Sequence, residues 1–292
     1  MDYEPEPIHP LNNARFRVDF EYYWSQLAVG MTELASPNEL ATMHDIALQK
    51  DASFYDKVRA GVDRAMTQAI GTVACLFDVD GTIADMKESA TVRDIGDAEP
   101  IYMLVRPAFP EVVADLAVSY PEVLRFGLLS LRPADSLQAE AENPSFLRPV
   151  RPFIDDALIY SSKETARHDP MLGDTVSVED TAAFLASMQG VIDPSILEAT
   201  QKGEVDIFGW YDPKLRVIVT LHRANPDTTY VVVDNLAYAD CLDPANPRLV
   251  GICVESEQQL LIPVFEKIPG SLMFGTGLGL NRYLMISVSI SR

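Results

Sequence analysis

One stretch decides the fold of this protein: Cys75-Leu76-Phe77-Asp78-Val79-Asp80-Gly81-Thr82-Ile83. Its apolar run predicts a buried strand, and the two aspartates that follow stand where open α/β sheets bind ligands, at the carboxyl end of a strand. Gly81 permits a sharp turn directly afterwards, so Asp78 and Asp80 can take different roles. One carboxylate can attack phosphorus, while the other exchanges a proton with the leaving group.

The segment resembles the first motif of the haloacid dehalogenase superfamily, in which Asp-x-Asp-Gly-Thr follows a hydrophobic strand. This resemblance implies a Rossmann-like parallel sheet with helices on both faces and a phosphatase-type activity. Asp78 would form an aspartyl-phosphate, and Asp80 would protonate the leaving alcohol and then activate the water that hydrolyses the intermediate. Asp80 argues against dehalogenation, which needs no acid at that position.

A later stretch resembles the second motif of the superfamily, a hydrophobic strand that ends in Ser or Thr. This stretch is Arg125-Phe126-Gly127-Leu128-Leu129-Ser130. The resemblance implies that Ser130, together with Thr82, holds the phosphoryl oxygens. Upstream, Val105-Arg106-Pro107-Ala108-Phe109 is similar to the lead-in of small-capped phosphatases, including the protein carboxy-terminal-domain phosphatases.

Another stretch resembles the fourth motif of the superfamily, a continuous apolar strand that ends in an acid: Thr229-Tyr230-Val231-Val232-Val233-Asp234-Asn235. The resemblance implies that Asp234 completes a magnesium site with Asp78 and Asp80, and Mg²⁺ does prefer oxygen ligands. Asp240 is a further candidate acid, although its six-residue offset from Asp234 is longer than the usual three to five. The four histidines form no ligand-spaced pair, which argues against zinc.

A lysine should neutralise the charge that develops on the phosphoryl group, and two candidates remain open. Lys214 opens a predicted helix that leads into the Asp234 strand, which is the order found in phosphatidate phosphatase-like members of the superfamily. Lys163 follows the predicted strand 157–161, which also ends near the expected site. The context favours Lys214.

Apolar runs and helical spacing alternate from Thr72 onwards, which predicts a parallel sheet with helical crossovers. Strands are predicted at 73–79, 124–130, 157–161, 205–210, 229–234 and 249–254. Helices are predicted at 107–119, 178–188, 194–202, 214–223 and 257–267. Upstream, Ser36-Pro37-Asn38-Glu39 has the pattern of a capped helix, and Ser53 could cap a second one.

The predicted domain organisation has three parts. Residues 1–72 form a helical N-terminal extension, 73–270 form the catalytic core, and 271–292 form a C-terminal tail. Between Ser130 and Lys214 lie 83 residues, more than a minimal core needs, so we expect an insertion or small cap within about 132–204. Only 49 residues separate Asp80 from Ser130, which leaves little room for a large cap there.

Composition limits the partners of the 292-residue chain. A net charge of −20 repels phosphate backbones, so we expect no nucleic-acid partner. Three widely spaced cysteines in or beside apolar stretches predict reduced thiols and a cytoplasmic location. We expect neither a secretory signal nor a transmembrane segment. The tail 271–290, which Asn281 and Arg282 interrupt, is predicted to be a buried or pairing segment, with membrane contact as the lesser alternative.

Together these features predict a magnesium-dependent phosphomonoester hydrolase that acts on phosphoproteins or other large phosphoesters, since little room for a large early cap favours an accessible site. The alternative is a site covered by the insertion after Ser130. Two alternatives stay open. One is a binding or effector protein that keeps the fold without turnover. The other is a phosphatase of small phosphorylated metabolites or lipids.

Overall fold

The structure, a computed structural model, describes residues 9–28, 36–79, 81–87, 102–130, 150–161, 186–204, 212–235, 237–254, 271–275 and 283–287. Its helices are α1 (Ala14–Leu27), α2 (Pro37–Gln68), α3 (Ala108–Ser119), α4 (Pro194–Gln201) and α5 (Asp212–Ala224). Its strands are β1 (Val73–Phe77), β2 (Ala84–Lys87), β3 (Tyr102–Val105), β4 (Leu124–Ser130), β5 (Ile154–Ser161), β6 (Thr229–Asp234), β7 (Leu249–Cys253), β8 (Ser271–Gly275) and β9 (Tyr283–Ser287).

A five-stranded sheet in the order β5-β4-β1-β6-β7 forms the centre of the fold, and all its pairings are parallel. The predicted α/β class with a parallel sheet is therefore confirmed. Strand β1 lies in the middle of the sheet, and all five of its residues are buried. An unbroken apolar run is what a strand covered on both faces requires.

Side chains of β1 alternate between two hydrophobic cores, one on each face of the sheet. Val73, Cys75 and Phe77 pack with buried residues of α2 and α3. Ala74 and Leu76 pack on the opposite face with buried residues of α5. Helices therefore cover both faces of the sheet, as expected.

The carboxyl ends of the central-sheet strands agree with the predictions to within two residues, and the largest difference is at β1, which ends at Phe77 where 79 was predicted. The strands at Leu124–Ser130 and Thr229–Asp234 have the predicted bounds. Strand β5 begins at Ile154, three residues before the predicted start, and it lies inside the span predicted to hold the insertion. The predicted strand 205–210 and helix 257–267 lie outside the described residues, as does nearly all of the predicted helix 178–188.

The prediction of two helices that begin at Ser36 and Ser53 is wrong, because a single helix, α2, runs from Pro37 to Gln68. The capping box at its start is confirmed: the Ser36 hydroxyl accepts from the Glu39 backbone, and the Glu39 carboxylate accepts from the Ser36 backbone. Ser53 lies in the helix interior. The reason is packing, since α2 continues to bury apolar residues on both sides of Ser53.

Two antiparallel strand pairs lie outside the central sheet. One pairs β2 with β3 shortly after the Asp78 strand, and the other pairs β8 with β9 in the C-terminal tail. The first was not predicted, and the second lies in the tail that was predicted to be a buried or pairing segment. Within the part of the chain that the structure describes, every helix is too short or too polar to cross a membrane.

Candidate functional site

Asp78 and Asp234 lie side by side at the carboxyl edge of the sheet. Strands β1 and β6 are neighbours, and the register pairs Phe77 with Val233. The Asp78 backbone N–H continues this ladder by donating to the Val233 carbonyl at 2.9 Å. Both carboxylates are buried, with Asp78 4% and Asp234 0% exposed. The topology therefore places two buried acids next to each other, and a nearby cation would favour ionisation of both.

Lys214 supplies that cation from the first turn of α5. Its Nζ lies 2.6 Å from Asp78 Oδ1 and 2.6 Å from Asp234 Oδ2. The two carboxylate oxygens can therefore be no more than twice that distance apart. The Lys214 side chain is itself only 2% exposed. The rival lysine, Lys163, lies outside the described residues, so the choice between them as the functional lysine stays a prediction.

Burial and ion pairing act in opposite directions on Lys214. Burial alone lowers the pKa of its ammonium group, but the attraction of Asp234 and Asp78 and their hydrogen bonds outweigh burial and raise the pKa above the ordinary value of 10.5. Lys214 is therefore charged at neutral pH. One ammonium is therefore shared by two carboxylates.

Thr82 connects the turn after β1 to both acidic strands. Gly81 starts this turn with a positive φ of 73°, a conformation that glycine adopts without strain. The Thr82 hydroxyl donates to Asp78 Oδ2 at 2.9 Å and accepts from the Asn235 backbone N–H at 2.9 Å. Asn235 acts here through its backbone, so its residue type carried no signal for this role in the sequence.

The single Thr82 proton is directed at Asp78, so in this arrangement Thr82 orients the carboxylate. That Thr82 also holds a phosphoryl oxygen stays a prediction. Ser130 ends β4, the strand on the other side of β1, and is fully buried at the same edge of the sheet. Asp80 lies outside the described residues.

A buried ion pair behind the Thr82 turn was not predicted from sequence. Arg106 Nε lies 3.1 Å from Asp51 Oδ1, with the two side chains 2% and 0% exposed. The Arg106 guanidinium also donates to the Thr82 carbonyl at 3.0 Å. The lead-in that contains Arg106 was noted in the sequence, but Asp51 lies in α2, 55 residues away, and no local pattern connects the two.

The described contacts of Asp240 do not include Asp78. It is exposed, in a short 3₁₀ helix at Ala237–Cys241, and hydrogen-bonds with the thiol of Cys253. Burial, followed by the nearby Asp240 charge, raises the pKa of Cys253 to about 12. The described geometry therefore associates Asp240 with a neutral thiol.

The side chains at this site have the ligand chemistry that a magnesium ion requires. Asp78 and Asp234 bring carboxylate oxygens, the donor type that Mg²⁺ prefers, close together on either side of Lys214 Nζ, and Mg²⁺ keeps several waters when few protein ligands are available. Among the described residues, no three His, Cys, Asp or Glu side chains form a group that could hold a metal ion. The third predicted ligand, Asp80, is not among those residues.

No protein-family model, curated protein or solved structure shows a significant match to this chain. The chemistry of the site therefore has to be argued from its geometry. A carboxylate fixed at both oxygens, a buried ammonium beside it and a second carboxylate on the neighbouring strand form an arrangement suited to nucleophilic attack on an anionic electrophile.

Proposed function

We propose that the protein is a magnesium-dependent phosphomonoester hydrolase that acts through an aspartyl-phosphate on Asp78. One observation carries the proposal: both oxygens of this buried carboxylate are held, Oδ1 by the Lys214 ammonium and Oδ2 by the Thr82 hydroxyl. An oriented carboxylate that is kept charged by a neighbouring ammonium is a prepared nucleophile.

The reaction has two steps. An oxygen of Asp78 attacks phosphorus, the bond to the leaving oxygen breaks, and Asp80 gives its proton to that oxygen. Asp80 then takes a proton from water, which attacks phosphorus and releases inorganic phosphate and the Asp78 carboxylate. Lys214 offsets the negative charge of the phosphoryl group throughout. Ser130, with Thr82, is the proposed contact for the phosphoryl oxygens.

Asp78, Asp80 and Asp234 would hold magnesium. When bound, the ion reduces the repulsion between the attacking carboxylate and the phosphate dianion, which otherwise dominates the barrier. The two buried carboxylates that meet around Lys214 support this assignment, because carboxylate oxygens are the ligands that Mg²⁺ prefers.

We propose phosphoproteins or other large phosphoesters as substrates. Between Asp78 and Ser130 the structure describes β2, β3, α3 and β4, and the longest stretch there that lies outside the described residues is 88–101. That length is far below the roughly 50 residues of a small domain, so a domain-sized cap has no room at this point.

The three cysteines are free thiols, which supports a cytoplasmic location.

Hydrolysis of p-nitrophenyl phosphate tests the proposal. The full chain should release nitrophenol with magnesium, lose activity in excess chelator and recover it when magnesium is restored. Calcium should substitute poorly because its looser and higher coordination misplaces the nucleophile. Asp78→Asn should abolish turnover, because an amide cannot form the acyl-phosphate. Unchanged activity of this variant would refute the mechanism.

Asp234→Asn and Asp240→Asn form a matched pair for the metal site. Both remove one carboxylate charge at or beyond the end of β6, but only Asp234 shares Lys214 with Asp78. Asp234→Asn should raise the magnesium concentration needed for half-maximal activity at least about tenfold, while Asp240→Asn should stay near wild type. Equal effects would reject Asp234 as a ligand.

A panel of phosphopeptides, phospholipids and phosphorylated metabolites then identifies the substrate class.

A further inference from the structure

Helix α2 of the N-terminal extension carries a carboxylate with no solvent exposure, that of Asp51. Its buried neighbours on the helix are largely apolar. A buried carboxylate is costly unless it is paired and hydrogen-bonded. The contacts of Asp51 therefore show what this helix contributes beyond hydrophobic packing.

Asp51 uses both carboxylate oxygens to hold the start of α3. Oδ1 pairs with Arg106 Nε at 3.1 Å, and Oδ2 accepts from the Ala108 backbone N–H at 3.0 Å. The Arg106 guanidinium also lies over the Phe54 ring of α2, 4.5 Å from its centroid. One turn of α2 thus fixes the position and orientation of a single arginine.

Arg106 in turn holds the turn that follows the Asp78 strand. Its side chain donates to the Thr82 carbonyl at 3.0 Å, and its backbone N–H donates to the Ile83 carbonyl at 3.0 Å. Thr82 then donates through its hydroxyl to Asp78 Oδ2. Every step of this connection is a hydrogen bond or an ion pair, and most of its groups are buried.

We propose that Asp51 and Arg106 are positioning residues for the nucleophile: they fix Thr82, and Thr82 orients the Asp78 carboxylate. The N-terminal extension is then part of the catalytic unit. This inference rests on the proposed phosphatase reaction. Because a displacement of about 1 Å in a reacting group can cost roughly a hundredfold in rate, a loosened Thr82 turn should impair turnover.

Asp51→Asn tests the inference against a matched control, Asp115→Asn. Asp115 of α3 pairs with Arg59 of α2 and accepts from the Tyr55 hydroxyl at 2.8 Å, so it joins the same two helices. No described contact connects Asp115 to Thr82. Both variants should lower the melting temperature, but only Asp51→Asn should lower kcat, by roughly tenfold to a hundredfold. Its KM should change little, since the lost interaction serves the transition state.

Equal kcat values for the two variants, measured well below both melting temperatures, would overturn the inference. If Asp51→Asn does not fold, Arg106→Lys replaces it, because lysine keeps the charge but cannot reproduce the two-sided donation of a guanidinium. This variant should show the same loss of kcat, and a kcat equal to that of the control would overturn the inference.

Amide hydrogen exchange separates this inference from the proposed function. Exchange in residues 81–84 should be faster in Asp51→Asn than in Asp115→Asn, whether or not the chain hydrolyses phosphate. A wild-type protein without phosphatase activity would refute the proposed function, and faster exchange in that case would still support the connection from Asp51 to the turn. Unchanged exchange in this turn would overturn the connection itself.

Discussion

Lys214 carries a positive charge in the interior of the protein, where an isolated ammonium group would be strongly disfavoured. The carboxylates of Asp78 and Asp234 compensate it. At the residue scale, the stability of the site and its proposed chemistry depend on the same three side chains.

Replacing Lys214 by Met should remove most of the activity, by roughly a hundredfold or more, because the charge that offsets the phosphoryl group is lost. It should also destabilise the fold by about 3–5 kcal/mol, since two buried carboxylates lose their shared partner. Lys163→Met is the matched control and should stay close to wild type. Rates with p-nitrophenyl phosphate and urea unfolding provide the two measurements. A larger loss of activity in Lys163→Met would make Lys163 the functional lysine.

Strands β4 and β5 approach closely at Gly127, and the approach explains why a glycine stands inside a buried strand. A Cβ at Gly127 would collide with the Leu158 backbone carbonyl and side chain. The pairing of the two strands also shifts in register between Phe126 and Leu128. At the scale of elements, this contact sets the distance between β4 and β5 near Ser130, the last residue of β4.

Gly127→Ala should therefore destabilise the protein by about 1–3 kcal/mol, the usual cost of overpacking a close contact. Val123→Ala, at a partly exposed position just before β4, should stay within about 0.5 kcal/mol. Denaturant unfolding measures both variants. A Gly127→Ala protein as stable as wild type would show that the two strands can separate without cost.

His222 lies at the end of α5 and affects the stability of the whole molecule. Its Nε2 accepts from the Asn246 amide at 3.1 Å and from the Arg248 guanidinium at 3.2 Å, so the ring proton lies on Nδ1. Nδ1 is buried without a hydrogen-bond partner in the described part of the chain. Burial, then the positive charges of Arg248 and Arg223, lower the pKa of His222 below its ordinary value of 6.5.

A lowered histidine pKa makes stability depend on pH in one direction. As pH falls below about 6.5, the unfolded chain binds a proton at His222 while the folded protein does not, so the free energy of unfolding decreases. The decrease is at most about 1.4 kcal/mol for each pH unit from this residue. Melting temperatures from pH 7.5 to 5.5 should fall less in His222→Gln. Parallel curves for both proteins would exclude His222 as the cause.

The sequence alone determined the features that local pattern encodes. The apolar runs that end at Asp78, Ser130 and Asp234 predicted three strands, because the change from apolar to polar residues marks the carboxyl edge of a buried parallel sheet. The Ser36 capping box is local in the same way, since its partners are three residues apart. Lys214 was identified as a candidate from motif order alone.

Only the tertiary structure decided which distant groups meet. Lys214 reaches both acids because α5 packs on one face of the sheet, and Asp51 meets Arg106 because α2 packs on the other. The local sequence at Ser53 was compatible with a helix start, but burial of the surrounding residues kept α2 continuous. Local periodicity records which residues are buried, whereas partners far apart in sequence are set by topology and packing, which no short pattern contains.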